Sequence, residues 1–204
     1  MESEGTDVLI VTDVEAAQLK FPIGHPRYRV TYVGHPVKPA EYLPFSDFHR
    51  ALFEHKVAEA LRLVRALGAT IVAVEHIQGW DEGLGIHLGV ALPTALEAEV
   101  STSAGMKRGQ GAYIMSRMTL LPTGPPTVPS DLVWLPQEPL WQEIVRARME
   151  SGLSSFALDV RSTDDYGING SLKTLVSKAG LELGGSFTEH QNTIWRLSGA
   201  FVTG

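Results

Sequence analysis

No cysteine occurs among the 204 residues. That absence removes disulfides, thiolate nucleophiles, iron–sulfur clusters and Cys-containing zinc sites at one stroke. Long apolar runs are missing as well. Stretches such as Val8 to Val11 and Ile71 to Val74 fall far short of the ~20 residues that a membrane-crossing helix needs. Clustered positive charge is scarce: the formal net charge is −6, and the densest basic points are Lys107 with Arg108 and Arg146 with Arg148. Neither is the patch that a nucleic-acid binder needs to track phosphates, so no nucleic acid is expected as a partner. The opening residues are acidic, with Glu2, Glu4 and Asp7, and lack the basic n-region and apolar core of a secretory signal. A cytoplasmic location is the expectation.

What is present is an ordinary globular composition, 44% hydrophobic and 20% charged, enough for a core that needs neither metal nor disulfide as a staple. Residues 7 to 12 are short, apolar and β-branched, the composition of a strand. A second strand, Tyr28 to Gly34, sits between two Gly-His-Pro triplets at 24–26 and 34–36, where each proline keeps its histidine out of the helical region. Ser46 is a good N-cap for an amphipathic helix with Phe48, Leu52, Val57, Ala60, Leu61 and Val64 on one face, closed by Gly68. Thr70 to Val74 follows, apolar at all but its first position, as expected of a central strand covered on both faces.

Glycines at 79, 83, 85 and 89 make the next stretch mostly loop. Leu96 to Ala104 and Ala112 to Leu121 read as the two arms of a long hairpin. In the first arm Leu96, Ala98, Val100 and Thr102 alternate with Glu97, Glu99, Ser101 and Ser103, the rhythm of a strand with one wet face. Four prolines between 122 and 129 make a connector. A short strand over Leu132 to Leu135 is predicted beyond it. A helix then opens with Pro139 at its first position, carries Leu140, Trp141, Ile144, Val145 and Met149 on one face, and stops at Gly152. Phe156, Leu158 and Val160 alternate with Ala157, Asp159 and Arg161, a half-buried strand. A turn at 164–167, a short helix carrying Leu172, Leu175 and Val176, and strands over Leu181–Phe187 and Thr193–Phe201 complete the order.

The fold class that follows is α+β: one domain over residues 1–204, with a mixed, mostly antiparallel sheet and two main amphipathic helices packed on it. Its halves repeat one plan of helix, glycine stop, buried strand and hairpin, and the junctions align best at Leu67 to Glu75 against Ser151 to Asp159. An internal duplication is therefore expected, with pseudo-repeats 28–121 and 132–202 joined by the proline-rich connector 122–131.

Catalytic and cofactor motifs are harder to find. The glycines around Trp80 lack a following Lys-Ser/Thr, and those from Gly105 to Gly111 lie between strands, where no helix N-terminus could receive phosphate. His49 and His55 are six apart on a helix and off a shared face, while Glu75 and His76, like Glu54 and His55, are neighbours and point apart. His25 and His35 read as turn residues. No Gly-x-Ser-x-Gly elbow surrounds Ser186. Asp159, Asp164 and Asp165 lack the spacing of a calcium loop. No catalytic residue, metal or cofactor is expected. Trp134, Trp141 and Trp195 fall at core-facing positions. Trp80, in a loop rich in glycine and acid, is the candidate contact point for a partner.

Three functional readings stay open. The first is a non-catalytic binding or assembly module, a component of a larger complex or an oligomer. The second is a membrane-acting protein that inserts amphipathic β-hairpins. The third is a hydrolase or transferase without a standard motif, using His76 with Glu75 or the turn at Asp164 and Asp165.

Overall fold

The computed structural model describes residues 12–79, 113–121, 124–162 and 193–201. They belong to two compact units that divide within one long helix, the first ending at Leu52 and the second starting at Phe53. The first opens with a single helical turn, α1 (Asp13–Ala16). Thr12 starts it through a capping box: its N–H and hydroxyl donate to the Glu15 carboxylate at 2.7 and 2.8 Å, and the Glu15 N–H returns a bond to the hydroxyl at 3.4 Å. Those bonds hold the Glu15 carboxyl below its ordinary pKa. Strand β1 (Tyr32–Gly34) pairs antiparallel with β2 (Tyr42–Pro44). The strand expected from Tyr28 is shorter than its apolar rhythm suggests, because residues 28 and 29 turn and Arg29 takes a left-handed φ of 62°.

The turn Phe45–Asp47 is 3₁₀ and runs straight into α2 (Phe48–Ala66). Ser46 is inside that turn and is not the N-cap: its hydroxyl donates to Asp47 Oδ2 at 3.3 Å, and the Phe48 N–H bonds to the Phe45 carbonyl.

The second unit carries the rest of α2, then β3 (Ala69–Gln78), β4 (Tyr113–Thr119), a 3₁₀ turn (Leu135–Gln137), α3 (Pro139–Ser151), β5 (Ser155–Arg161) and β6 (Ile194–Phe201). Both helices end on glycines with left-handed backbones, Gly68 at φ 89° and Gly152 at φ 67°, a conformation that costs glycine nothing. The strands form one sheet in the order β4-β3-β6-β5, every neighbour antiparallel. The α+β class and the central place of β3 agree with the sequence.

Register assigns the two faces of this sheet. Val72 and Val74 of β3, Met118 of β4, Trp195, Leu197 and Phe201 of β6, and Phe156, Leu158 and Val160 of β5 are buried on one side. Both helices reach that side. The Phe53 ring of α2 stands edge-on to Trp195 at 5.2 Å, and the Arg148 guanidinium of α3 lies over Phe201 at 4.7 Å while donating to the Leu67 and Leu153 carbonyls at 3.1 and 2.8 Å. The double coverage expected of β3 does not extend along the strand: Ile71 is 44% exposed, since both helices contact the opposite face. Trp134, Trp141 and Trp195 are buried, as their positions predict. On α3, however, the buried stripe centres on Trp141, leaving Leu140 and Met149 exposed on its flanks.

Residues 132–135 are not a strand but an irregular stretch entering the 3₁₀ turn. The connector over 124–131 has no helix or strand. The expected strand at 7–12, the hairpin arm at 96–104, the turn at 164–167, the helix around Leu172–Val176 and the strand at 181–187 lie outside the described residues.

Gly199 shows how tightly the central pair packs. A Cβ built there would collide with the Ile71 carbonyl oxygen and stand 3.0 Å from a Phe156 ring carbon, and backbone cannot retreat as a flexible side chain can. Gly199→Ala is expected to destabilise the fold by about 1–3 kcal/mol or more. A urea midpoint equal to that of the wild type would contradict this close approach.

Candidate functional site

Two groups of polar side chains in the second unit have the burial or density of a site. The first is on α2. Lys56 and Glu59 are only 3% and 6% exposed. They sit on the buried stripe because positions 49, 52, 56, 59, 63 and 67 are all buried and follow one another three or four apart, and the chain places a lysine on that rhythm. The Glu59 carboxylate accepts three backbone N–H bonds, from Val133 at 2.8 Å, Trp134 at 2.6 Å and Leu135 at 3.0 Å. Lys56 Nζ donates to the Arg161 carbonyl at 3.1 Å, pairs with the Glu138 carboxylate, and lies 5.2 Å from the Trp134 ring centroid. His55 Nδ1 accepts the Trp134 indole N–H at 3.0 Å, which assigns the proton of the neutral ring to Nε2.

Each of these groups binds another part of the chain, so the cluster clasps separate segments together. Three backbone donors converge on the two Glu59 oxygens.

The second group spans the sheet face opposite the one that α2 and α3 contact. Glu75 of β3, Arg196 of β6 and Asp159 of β5 stand in one row across three strands. Arg196 grips Asp159 with two bonds, Nε to Oδ1 at 2.7 Å and a second guanidinium nitrogen to Oδ2 at 3.2 Å. Arg161 approaches Oδ2 at 3.4 Å, and the Ser198 hydroxyl donates to Glu75 at 3.1 Å. The Arg196 bonds hold the Asp159 carboxyl below its ordinary value, burial opposing them, and Asp159 raises the Arg196 guanidinium in return, with Glu75 adding to it. Around this row lie small or apolar residues: Ala73, Ser198 and Ala157 in one rank, Ile71, Ala200 and Ser155 in the next. Ile71 and Ile114, at 44% and 48% exposure, project from the same face, and Arg117, opposite Ala73, is exposed beside them.

The residues weighed from the sequence are dispersed. Glu75 and His76 do project to opposite faces of β3, and His76 Nε2 is 2.9 Å from the Gly79 carbonyl. His25 lies in the first unit with Nδ1 2.6 Å from the Tyr32 hydroxyl. His35, also there, is buried, its Nδ1 accepting the Val37 N–H at 3.2 Å. Asp159 is held by arginines. Trp80, Asp164, Asp165 and the 96–104 arm, on which the membrane reading rests, lie outside the described residues. Among the described residues no three of His, Asp and Glu gather as a metal site, and no helix is long and apolar enough to cross a membrane. Sequence reasoning missed both polar groups. The first had a readable signal, a lysine on an apolar stripe; the second depends on cross-strand register.

No family model, curated protein or solved structure matches the chain.

Two predictions follow from these geometries. Glu59→Gln exchanges one acceptor oxygen for an amide that faces N–H donors, and is expected to cost about 1–3 kcal/mol, read as a lower urea midpoint at unchanged slope. For Asp159 the native pKa lies below the unfolded one, so its stabilisation is complete above the ordinary value of 3.8 and is lost as the pH falls through the depressed native value. Asp159→Asn should therefore lower stability by about 0.5–1 kcal/mol at pH 7, the size of a partly exposed pair, and the deficit should shrink below about pH 4. A deficit independent of pH would assign the loss to packing.

Proposed function

We propose that the chain is a non-catalytic binding and assembly module, in which the sheet face turned away from α2 and α3 is the surface that takes a protein partner. The observation that carries this reading is that Ile71 and Ile114, each nearly half exposed, share one sheet face with a field of Ala and Ser residues and one ordered charge row. A sheet face that served only as a solvated exterior would have no use for two isoleucines and so many small side chains. The charge row favours a second copy as that partner. Glu75, Arg196 and Asp159 alternate in sign across the strands, and an alternating row can meet its own two-fold image with opposite charges facing.

The expected duplication gives this surface an origin. Aligned positions flank the same β6 residue: Val72 and Phe156 both pair with Gly199, Val74 and Leu158 with Leu197, Glu75 and Asp159 with Arg196. A sideways repeat of the pair β4-β3 as β6-β5 yields this strand order, and each repeat carries, ahead of those strands, a helix followed by a left-handed glycine. An experimental structure in which α2-β3-β4 fails to superpose on α3-β5-β6 would remove the duplication.

Sedimentation equilibrium tests the functional reading. Wild-type protein is expected to self-associate, and Ile71→Lys with Ile114→Lys to weaken that association about a hundredfold, as loss of two apolar contacts of about 1.5 kcal/mol each implies. A wild-type chain that is monomeric at every concentration and forms no cross-links to another protein in its own cells would remove it.

A further inference from the structure

Charge is unevenly distributed along the chain, and the uneven part is in the first unit. Residues 16–40 contain Lys20, Arg27, Arg29 and Lys38 and no Asp or Glu, a formal +4 that leaves −10 on the rest of a chain whose net charge is −6. The basic residues are spaced and not adjacent, so a search for basic runs passes over them. Lys38 is paired with Glu41 at 3.4 Å. Arg27 and Arg29 have no carboxylate partner among the described residues.

The same stretch holds out two apolar side chains. Ile23 and Tyr28 are 104% and 93% exposed, as open as side chains of an extended chain. Each stands at the first corner of a tight turn. The His25 N–H bonds to the Pro22 carbonyl at 3.0 Å across Ile23 and Gly24, and the Val30 N–H approaches the Arg27 carbonyl at 3.4 Å across Tyr28 and Arg29. Gly24 and Arg29, the second corners, take φ 82° and 62°. One hydroxyl ties the two turns together: Tyr32 Oη accepts the Arg27 N–H at 2.7 Å and lies 2.6 Å from His25 Nδ1. The Arg27 guanidinium bonds back to the Gly24 carbonyl at 3.1 Å, and the Phe21 ring packs edge-on to Tyr32 at 4.9 Å. Bracing of this kind keeps Ile23 and Tyr28 from folding back onto the chain, although their exposure costs hydrophobic free energy.

We infer that this double turn is a docking element for an anionic lipid surface, with Ile23 and Tyr28 entering the interface and Arg27 and Arg29 resting on lipid phosphates. A bilayer is the occupant that suits two convex tips, since it yields where a protein would need two matching hollows. Tyrosine and arginine are the side chains that divide themselves between an apolar layer and a charged one. Segregated positive charge is also what an acidic protein needs to approach an anionic membrane, because the bulk of the molecule is repelled. The element does not depend on the sheet face proposed for assembly: it lies in the other unit, and its readout is lipid binding and not oligomeric state.

Co-sedimentation of the full chain with phosphatidylcholine vesicles, with and without phosphatidylserine, tests the assignment. Wild-type protein is expected to pellet with the anionic vesicles, to stay in solution with the neutral ones, and to be released by added salt. Ile23→Ser with Tyr28→Ser should weaken binding more than tenfold, and Arg29→Asn about fivefold, with thermal melts unchanged because these three side chains are exposed. Wild-type protein that ignores phosphatidylserine vesicles overturns the inference, as does binding that survives the loop substitutions. Capture of poly-glutamate by the same loop in the absence of vesicle binding would overturn it too, and would assign the element to an acidic protein.

Discussion

A single carboxylate organises the second unit. Glu59 sits on a helix, yet its two oxygens take the N–H groups of three consecutive residues in another part of the chain. Without it the buried Trp134 N–H and its half-buried neighbours would lose these acceptors, because Leu132 and Trp134 are drawn inside and, among the described residues, no strand pairs with this stretch. The carboxylate thus substitutes for a ladder. Once 133–135 is held, the start of α3 follows within a few residues, and Lys56 fastens the same region to β5 through the Glu138 carboxylate and the Arg161 carbonyl. Neither charge would be tolerable at this depth alone. Side by side, each satisfied by a different segment, they join helix, connector and sheet.

Sequence rhythm carried the reading as far as one side chain can report its own environment. β5 was legible residue by residue, because Phe156, Leu158 and Val160 alternate with polar or small neighbours and one face of that strand is buried. The end of α3 was legible at Gly152, where only glycine takes the left-handed backbone without strain. Residues 132–135 have the composition of a strand and are not one, for a specific reason: Leu132 and Trp134 are buried, with Val133 and Leu135 half-buried beside them, but the acceptor for the backbone N–H groups is Glu59, distant by more than seventy positions. At Tyr28 the error was local, since an apolar stretch with β-forming residues contained a turn that no glycine or asparagine announced.

The charge row marks a different boundary. Asp159 and Arg196 each looked like an ordinary outward-facing residue of a half-buried strand, which they are. Their pairing requires β5 and β6 to be neighbours in one register, and nothing in either segment specifies that neighbour. Exposed surface was the least legible of all. A buried leucine announces itself by period, whereas Ile23 and Ile71 look in sequence like any other core residue, and only three-dimensional placement separates an apolar side chain that is used from one that is displayed.

The place of β6 bears on how the chain reaches this state. It lies between β3 and β5, and its pairing with β3 closes contacts across 130 residues, as between Thr70 and Ala200. β3, β4 and β5 all leave the ribosome before it. Until β6 arrives, β3 and β5 each lack the neighbour that the finished sheet puts between them, and the emerging polypeptide carries open hydrogen-bonding edges for the time it takes to synthesise the remainder. Closure of the sheet must therefore wait for a strand that is made after β3, β4 and β5 and yet lies between two of them.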